Sequence, residues 1–151
     1  MEVMIEPASK KDCDLLFNWA NDEDVRKNSF NSGKIIYQEH IKWFSNVINS
    51  NECFIFILKF KDISVGQIRI NVKNKKAIIS YSIDKNYRGQ GLSMVMLNLL
   101  EQKIKDIDTN NIDKLVGFVK YENIASQKVF EGLKYNKTIH NEFVEYEKYL
   151  V

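Results

Sequence analysis

Between Glu52 and Ile83 the chain runs through three apolar, strand-like stretches: Glu52–Phe60, Ser64–Val72 and Lys76–Ile83. The links between them centre on Lys61-Asp62 and Asn74-Lys75. Links this short make hairpins, because a parallel return would need a crossover of about a dozen residues or more. This part of the chain is therefore an antiparallel meander, and the C-terminal half is built onto its last strand.

That strand leads into Asn86-Tyr87-Arg88-Gly89-Gln90-Gly91-Leu92-Ser93, and then Met94 to Glu101, which reads as a helix continuing to about Ile107. Two glycines at a strand-to-helix junction let the backbone approach a ligand with no Cβ in the way. The unpaired amides of the helix's first turn point outward, backed by the positive end of the helix dipole. Such a junction attracts phosphate. A dinucleotide fingerprint would need a third glycine where Met94 stands, inside a parallel unit rather than after hairpins. A nucleoside-triphosphate loop needs Gly-Lys-Ser/Thr, but here Leu92 precedes Ser93. A bare tight turn remains the alternative at this point.

The remaining elements build a mixed α+β domain. Val3 to Glu6 reads as a strand, and Ser9 with Asp12 forms a capping box that opens a helix through Leu15, Leu16 and Trp19. A short helical turn is expected over Asp22–Lys27, a loop over Asn28–Lys34, and a helix between Tyr37 and Asn49. Beyond the long helix, Leu115–Val119 reads as a strand and Asn123–Leu133 as the last helix. Tyr135–His140 and Phe143–Leu150 read as a closing hairpin. No linker or repeat divides residues 1–151, which are expected to form one domain with a mixed sheet and helices on its faces.

Charge and cysteine usage exclude several classes. The 22 basic and 20 acidic residues are interspersed, leaving a net charge of +2 with no basic stripe for nucleic acid. No apolar run is long enough to cross a bilayer, and the N-terminus has no signal-peptide pattern. Cys13 and Cys53 lack metal-ligand spacing and read as small buried hydrophobes of a cytoplasmic protein, so no metal is expected.

In this setting Asn86 to Ser93 resembles the acyl-CoA pyrophosphate loop of the GNAT N-acetyltransferase superfamily, patterned Arg/Gln-x-x-Gly-x-Gly/Ala. Asn86 stands at the first place, and Gly89 and Gly91 match. A second block, Val119 to Glu131, resembles that family's strand leading through Glu-Asn-x-x-Ser into a helix, here Glu122-Asn123-Ile124-Ala125-Ser126. The resemblance implies the acyl-CoA N-acyltransferase fold, a mostly antiparallel seven-stranded mixed sheet with about four helices on its faces. It also implies acetyl-CoA as cosubstrate and a primary amine as acceptor. Ser82, Ile83, Arg88, Gly89, Gln90, Gly91, Leu92, Ser93, Asn123 and Ser126 would contact the CoA, which enters where the strands before and after the loop helix splay. A backbone amide near Tyr81 to Ile83 would polarise the thioester carbonyl.

Two departures from the family pattern stand out. The usual general-acid tyrosine, seven residues after the asparagine, is Phe130 here, and Glu131-Gly132-Leu133-Lys134-Tyr135 replaces the usual Glu-Lys-Leu-Gly-Phe helix exit. Tyr81 is the candidate substitute acid and Glu122 a candidate base through water.

For the acceptor, Leu16 to Asp22, Asn28-Ser29-Phe30 and Glu39 to Phe44 resemble a GNAT subgroup that acetylates nucleotide-linked amino sugars of pseudaminic acid and related pathways. Trp19 or Phe30 would then stack on a sugar or base, and Asn18 and His40 would bond hydroxyls. Trp19, Trp43 and Phe44 fit core residues at helical spacing equally well. Asn123-x-x-Ser126-x-Lys128-Val129 is also shared with acetyltransferases of ribosomal-protein N-termini. A catalytically weak CoA-binding or regulatory protein is the alternative from another class, and a homodimer paired through the closing strands is a further expectation.

Overall fold

The computed structural model describes residues 2–107 and 111–150. Its strands are β1 (Val3–Pro7), β2 (Cys53–Phe60), β3 (Ile63–Lys73), β4 (Lys76–Ile83), β5 (Lys114–Lys120), β6 (Asn136–Ile139) and β7 (Phe143–Tyr149). They form one sheet in the order β1-β2-β3-β4-β5-β7-β6, antiparallel throughout except for β4 and β5. The meander forms as expected. Lys61, Asp62, Asn74 and Lys75 all take left-handed φ values, 49°, 67°, 51° and 63°. Paired left-handed residues give a turn whose twist matches that of the strands it joins.

The helices are α1 (Cys13–Ala20), α2 (Glu23–Asn28), α3 (Tyr37–Ile48), α4 (Leu92–Ile107) and α5 (Ile124–Gly132). The sequence pattern reads the first helix as starting at the Ser9–Asp12 box. In the structure that box, with the Ser9 amide 2.9 Å from the Asp12 carboxylate, opens a 3-10 turn from which α1 continues. The short turn after Asp22 is a six-residue helix, because the Asp22 side chain accepts from the amides of Asp24 and Val25.

One face of the sheet carries the main core. Ile68, Ile70, Ala77, Ile79 and Leu115 pack with Met96, Leu97, Leu100 and Ile104 of α4. Full burial of each large aliphatic side chain stabilises the fold by roughly 1.5–3 kcal/mol. On the other face Leu16, Trp19 and Phe44 of α1 and α3 cover Ile55 and Ile57 of β2. In register with those isoleucines stand Arg69 and Gln67 of β3, and opposite these stand Ser80 and Ser82 of β4. Directly opposed residues share a face. The second face is thus apolar at β2 and polar at β3 and β4, and the polar part floors a chamber.

The last helix leaves by an unusual residue. Gly132 ends α5, and the left-handed position falls on Lys134, with φ 68°. The turn closes all the same, with Tyr135 N–H on the Phe130 carbonyl at 3.1 Å. A side chain in this conformation costs about 1–2 kcal/mol, partly offset by the extra unfolded-state freedom of a glycine. Lys134→Gly is therefore expected to raise the thermal midpoint by a few degrees, read by calorimetry; an unchanged or lower midpoint would show the exit is unstrained.

Candidate functional site

β4 and β5 pair in parallel only over Lys76–Lys114, Ala77–Leu115, Ile78–Val116 and Ile79–Gly117. Beyond Ile79 the strands diverge, so the edge of β4 from Ser80 to Ile83 faces a gap instead of β5. A Cβ on Gly117 would lie 2.4 Å from Cζ of Phe130, so the ring occupies the space over that glycine. Phe130 is buried, stacked on Tyr146 at 5.2 Å and edge-on to Tyr135 and Tyr81. The position where the resembling family carries a general acid is therefore filled by a wedge of core at the apex of the gap.

Tyr81 stands just beyond that apex. Its hydroxyl lies 2.8 Å from Ser126 Oγ, joining β4 to α5 across the divergence. Asn123 caps α5 by accepting the Ser126 amide on Oδ1 at 3.1 Å. Asn123, Ser126 and Tyr81 thus form one chain of hydrogen bonds at the gap. Burial pushes the Tyr81 pKa up to about 12, against a smaller lowering by Ser126. The phenol is neutral at any physiological pH and serves as a donor.

At the far end of the gap is the glycine loop. Gly89 and Gly91 take φ values of 78° and 75°, and a Cβ on either would meet nothing within 4 Å. Positive φ makes glycine the residue for both places. The open space beside them lies at the start of α4, whose first amides precede the bond from Val95 N–H to Gly91. An anionic group can reach these amides without steric obstruction, so the loop fits a pyrophosphate. Leu92 is buried under the loop, Ser93 lines the cavity, and Gln90 is exposed outside it.

Arg88 takes a different position from a freely extended phosphate ligand. Its guanidinium donates to the Ile83 carbonyl at 3.0 Å and pairs with Asp22 at 2.9 Å and Asp24 at 3.0 Å. It closes the end of the open β4 edge and fastens it to α2. Burial raises the Asp22 carboxyl, but the bond from Arg88 and the amides of Val25 and Asp24 outweigh it and hold the group below the usual carboxylate range.

The cavity, about 990 Å³, continues from the gap onto the second face of the sheet. Its polar floor includes Gln67, Arg69, Ser80 and Ser82, with Gln67 Nε2 donating to Ser82 Oγ at 3.1 Å. His40 and Trp43 wall it on the α3 side. Phe30 and Phe118, both well exposed, line its rim, each edge-to-face with Phe143 at 6.0 and 5.5 Å.

The structure gathers some sequence candidates and separates others. Tyr81, Ser82, Ile83, Arg88, Gly89, Gly91, Leu92, Ser93, Asn123, Ser126, Trp19, Phe30 and His40 all border the one cavity. Glu122 is exposed outside it and does not join Tyr81, and Asn18 likewise stays outside. Trp19 borders the cavity from within the smaller core, its indole N–H held by Asp84 at 2.9 Å. His40 is buried, its Nε2 2.8 Å from the Cys13 carbonyl, among Phe17, Trp43 and Phe44. Arg69, Gly117 and Phe118 were not singled out from the sequence. The sequence carries no signal for the first of these, since a charge between Ile68 and Ile70 is the ordinary alternation of a strand with one face on the core.

Among the described residues no group of three or more His, Cys, Asp or Glu could hold a metal, and no helix is long and apolar enough to cross a membrane. A family model, Acetyltransferase (GNAT) domain, matches residues 2–136. Among solved structures, spermidine N-acetyltransferase from Vibrio cholerae, in complex with CoA and spermine, superposes with a TM-score of 0.84. Identity is 13%, with 97% of this chain and 95% of that one covered. A domain from Methanocaldococcus jannaschii DSM 2661 gives 0.83 at 20% identity, covering 99% of both chains. The Salmonella typhimurium acetyl transferase that modifies the N-terminal serine of ribosomal protein L7/L12 gives 0.79 at 14% identity, covering 99% of this chain and 100% of that one. No curated protein sequence matches significantly.

The raised Tyr81 pKa has a consequence for alkaline stability. The native state holds this proton more tightly than the unfolded chain, whose tyrosine titrates near 10. The associated stability is complete below about pH 10 and declines as pH rises toward about 12. Tyr135 and Tyr146 are also raised, chiefly by burial, so the Tyr81 share is read by difference. Chemical unfolding of wild type and Tyr81→Phe from pH 8 to 11.5 should show a steeper alkaline loss for wild type; parallel curves would place the Tyr81 pKa near its ordinary value.

Proposed function

The chain belongs to the GNAT acetyltransferase family, and from that premise we propose that it acetylates the primary amine of a nucleotide-linked amino sugar in the cytoplasm. It is an N-acetyltransferase with acetyl-CoA as cosubstrate. The observation that carries the acceptor reading is the cavity beside the gap. A polar floor of Gln67, Ser80 and Ser82 meets a rim of exposed rings, Phe30 and Phe118. Hydroxyls fit the floor and a flat sugar or base face fits the rings. The microcin C7 self-immunity acetyltransferase MccE, 18% identical, was solved with acetyl-CoA and AMP, so this fold can hold a nucleotide together with its donor.

Acetyl-CoA, when bound, supplies an acetyl group activated as a thioester. The chain's own residues position it and manage charge. The unpaired edge of β4 offers its backbone groups to an extended amide-bearing arm, as an added strand would. The glycine loop and the first turn of α4 hold phosphate. Amides of the Tyr81–Ile83 segment, fixed by pairing with β3, provide donors for a carbonyl oxygen that gains charge.

Tyr81 acts by donating a hydrogen bond rather than by releasing its proton. A CoA-like thiol has a pKa of about 8.5, well below that of the buried Tyr81 phenol, so full proton transfer from Tyr81 is unfavourable. Either hydroxyl can donate in the Tyr81–Ser126 bond; when Ser126 donates, the phenol proton is free to stabilise a departing sulfur. A thiolate leaves readily on its own, so Phe130 in place of an acid is tolerated. For the amine, which must be neutral to attack, the chamber offers Glu39; Asp24 is paired with Arg88 and Glu122 lies outside.

Thiol release from acetyl-CoA, measured with an amino-sugar nucleotide, polyamines and N-terminal peptides, tests the acceptor. Turnover is expected with the sugar nucleotide. Turnover confined to peptides would replace this reading with the ribosomal-protein type, and tight CoA binding without any turnover would favour a non-enzymatic role.

Two variants should separate chemistry from donor binding. Tyr81→Phe is expected to lower kcat about tenfold or more while KM for acetyl-CoA stays within about threefold. Gly91→Val should do the reverse, weakening CoA about tenfold or more by placing a branched side chain where φ is positive and a phosphate must approach. An unchanged kcat removes Tyr81 from the mechanism, and unchanged CoA affinity refutes the loop assignment.

A further inference from the structure

Arg69 is a half-buried charge that makes no ion pair among the described residues. It lies in the middle of β3, opposite Ser80 of β4, and opens onto the acceptor side of the cavity. Its guanidinium carbon lies 5.1 Å from the centre of the Trp43 ring. Nη2 is 3.5 Å from Ser80 Oγ, the outer limit of a hydrogen bond. Nε is buried without a partner.

Among the described residues the ion pairs to carboxylates are made by Lys59, Arg88, Lys114, Lys137, His140 and Lys148, and none by Arg69. The ionisable group that acts on Arg69 is Cys53, whose thiol is pushed up by burial despite the arginine and so stays neutral. An arginine, unlike a lysine, cannot escape burial by losing its proton. Buried charges in proteins are paired, and leaving one unpaired is costly.

We propose that Arg69 binds an oxyanion, carboxylate or phosphate, carried by the acceptor amine, with Ser80 beside it and Trp43 backing the guanidinium. The proposal rests on reading this cavity as the acceptor's and extends it: the acceptor is an anionic amine, and polycations are poor substrates. The glycine loop is not the source of this anion. Ser80 precedes Ile83 by three residues, about 10 Å of strand, and the loop lies farther still. Arg69 is instead in register with Ser80, the residue before Tyr81, so it is level with the reacting end of the gap, on the opposite face of the sheet from the Tyr81 side chain. That placement sets the distance between the acceptor's amine and its charge, so Arg69 determines specificity rather than chemistry.

Arg69→Met, which keeps the bulk and removes the charge, and Arg69→Lys test this. Without ligand, Arg69→Met is expected to unfold at a higher temperature than wild type; a lower midpoint would mark a structural arginine and overturn the proposal. Initial rates are then compared on matched acceptors: an amino-sugar nucleotide against the free amino sugar, and an α-amino acid against its amide. Wild type should prefer the anionic member of a pair. Arg69→Met should lose about 10- to 100-fold in kcat/KM on that member and little on the neutral one. Arg69→Lys should recover part of the loss, and KM for acetyl-CoA should stay within about threefold in both.

Equal losses on both members of a pair overturn the proposal. Charge preference in the nucleotide pair identifies phosphate. Preference only in the amino-acid pair identifies carboxylate, which ends the sugar-nucleotide reading and leaves the role of Arg69 intact. If wild type acetylates none of them, thermal shifts by inorganic pyrophosphate and citrate at saturating CoA decide. A shift lost in Arg69→Met supports the anion site, and equal shifts in the two proteins overturn it.

Discussion

The proposed donor site depends on one interruption: parallel pairing between β4 and β5 stops at Ile79 and Gly117. A sheet normally satisfies its backbone groups strand by strand. Here four residues of an interior strand keep one edge unpaired, in a protein whose other interior strands are paired along most of their length. The Phe130 ring set over Gly117 holds the apex in place, and the Tyr81–Ser126 bond ties the two diverging arms together just beyond it. Burial of Phe130 among Tyr135 and Tyr146 makes the apex part of the hydrophobic core. The opening therefore persists through packing as rigid as the rest of the interior.

The two ends of this opening use charge differently. At the loop, Arg88 is fully committed to Asp22, Asp24 and the Ile83 carbonyl, so the phosphate-facing groups there are backbone amides and the helix terminus. On the proposed acceptor side, Arg69 makes no ion pair among the described residues; Trp43 and Ser80 lie against its guanidinium, and Glu39 borders the same chamber. In the proposed reading the donor end is preorganised by internal pairing, whereas the acceptor end keeps its arginine for what enters. A bidentate, planar guanidinium against Trp43 also discriminates by shape, which a lysine at the same place would not do.

Much of this architecture was legible from residues alone. The hairpin links, the alternating strands and the glycine junction are local signals, and the structure places their elements within a residue or two of the expected bounds. The helix over Glu23–Asn28 and the 3-10 turn before α1 depend on which side chain captures which amide, and only the cap residues hinted at them. The site was less legible wherever two distant segments meet. Glu122 is next to Asn123 in sequence, yet the cap turns one inward and leaves the other in solvent. Trp19 has the look of a stacking residue, but its position on α1 puts it in the smaller core with its indole held by Asp84. Arg69 falls on the polar face by simple alternation, but that this face floors a chamber walled by α3 is a fact of tertiary packing that no periodicity encodes.

The wall formed by residues 29–35 is held by a small set of contacts. Arg26 donates to the backbone carbonyls of Ala20, Asn31 and Gly33, and the Asn21 side chain exchanges two bonds with the backbone of Ile35. Most of these anchors grip the main chain, so the wall's path owes little to which side chains it carries, apart from Ser29, whose hydroxyl bonds Val25, and Asn31, whose side-chain oxygen accepts the Gly33 amide. Positions such as Phe30 and Ser32 can therefore change identity while the loop keeps its course. For diversification, natural or in the laboratory, this segment is a fixed frame with exchangeable panels, where acceptor choice can shift without the sheet having to refold.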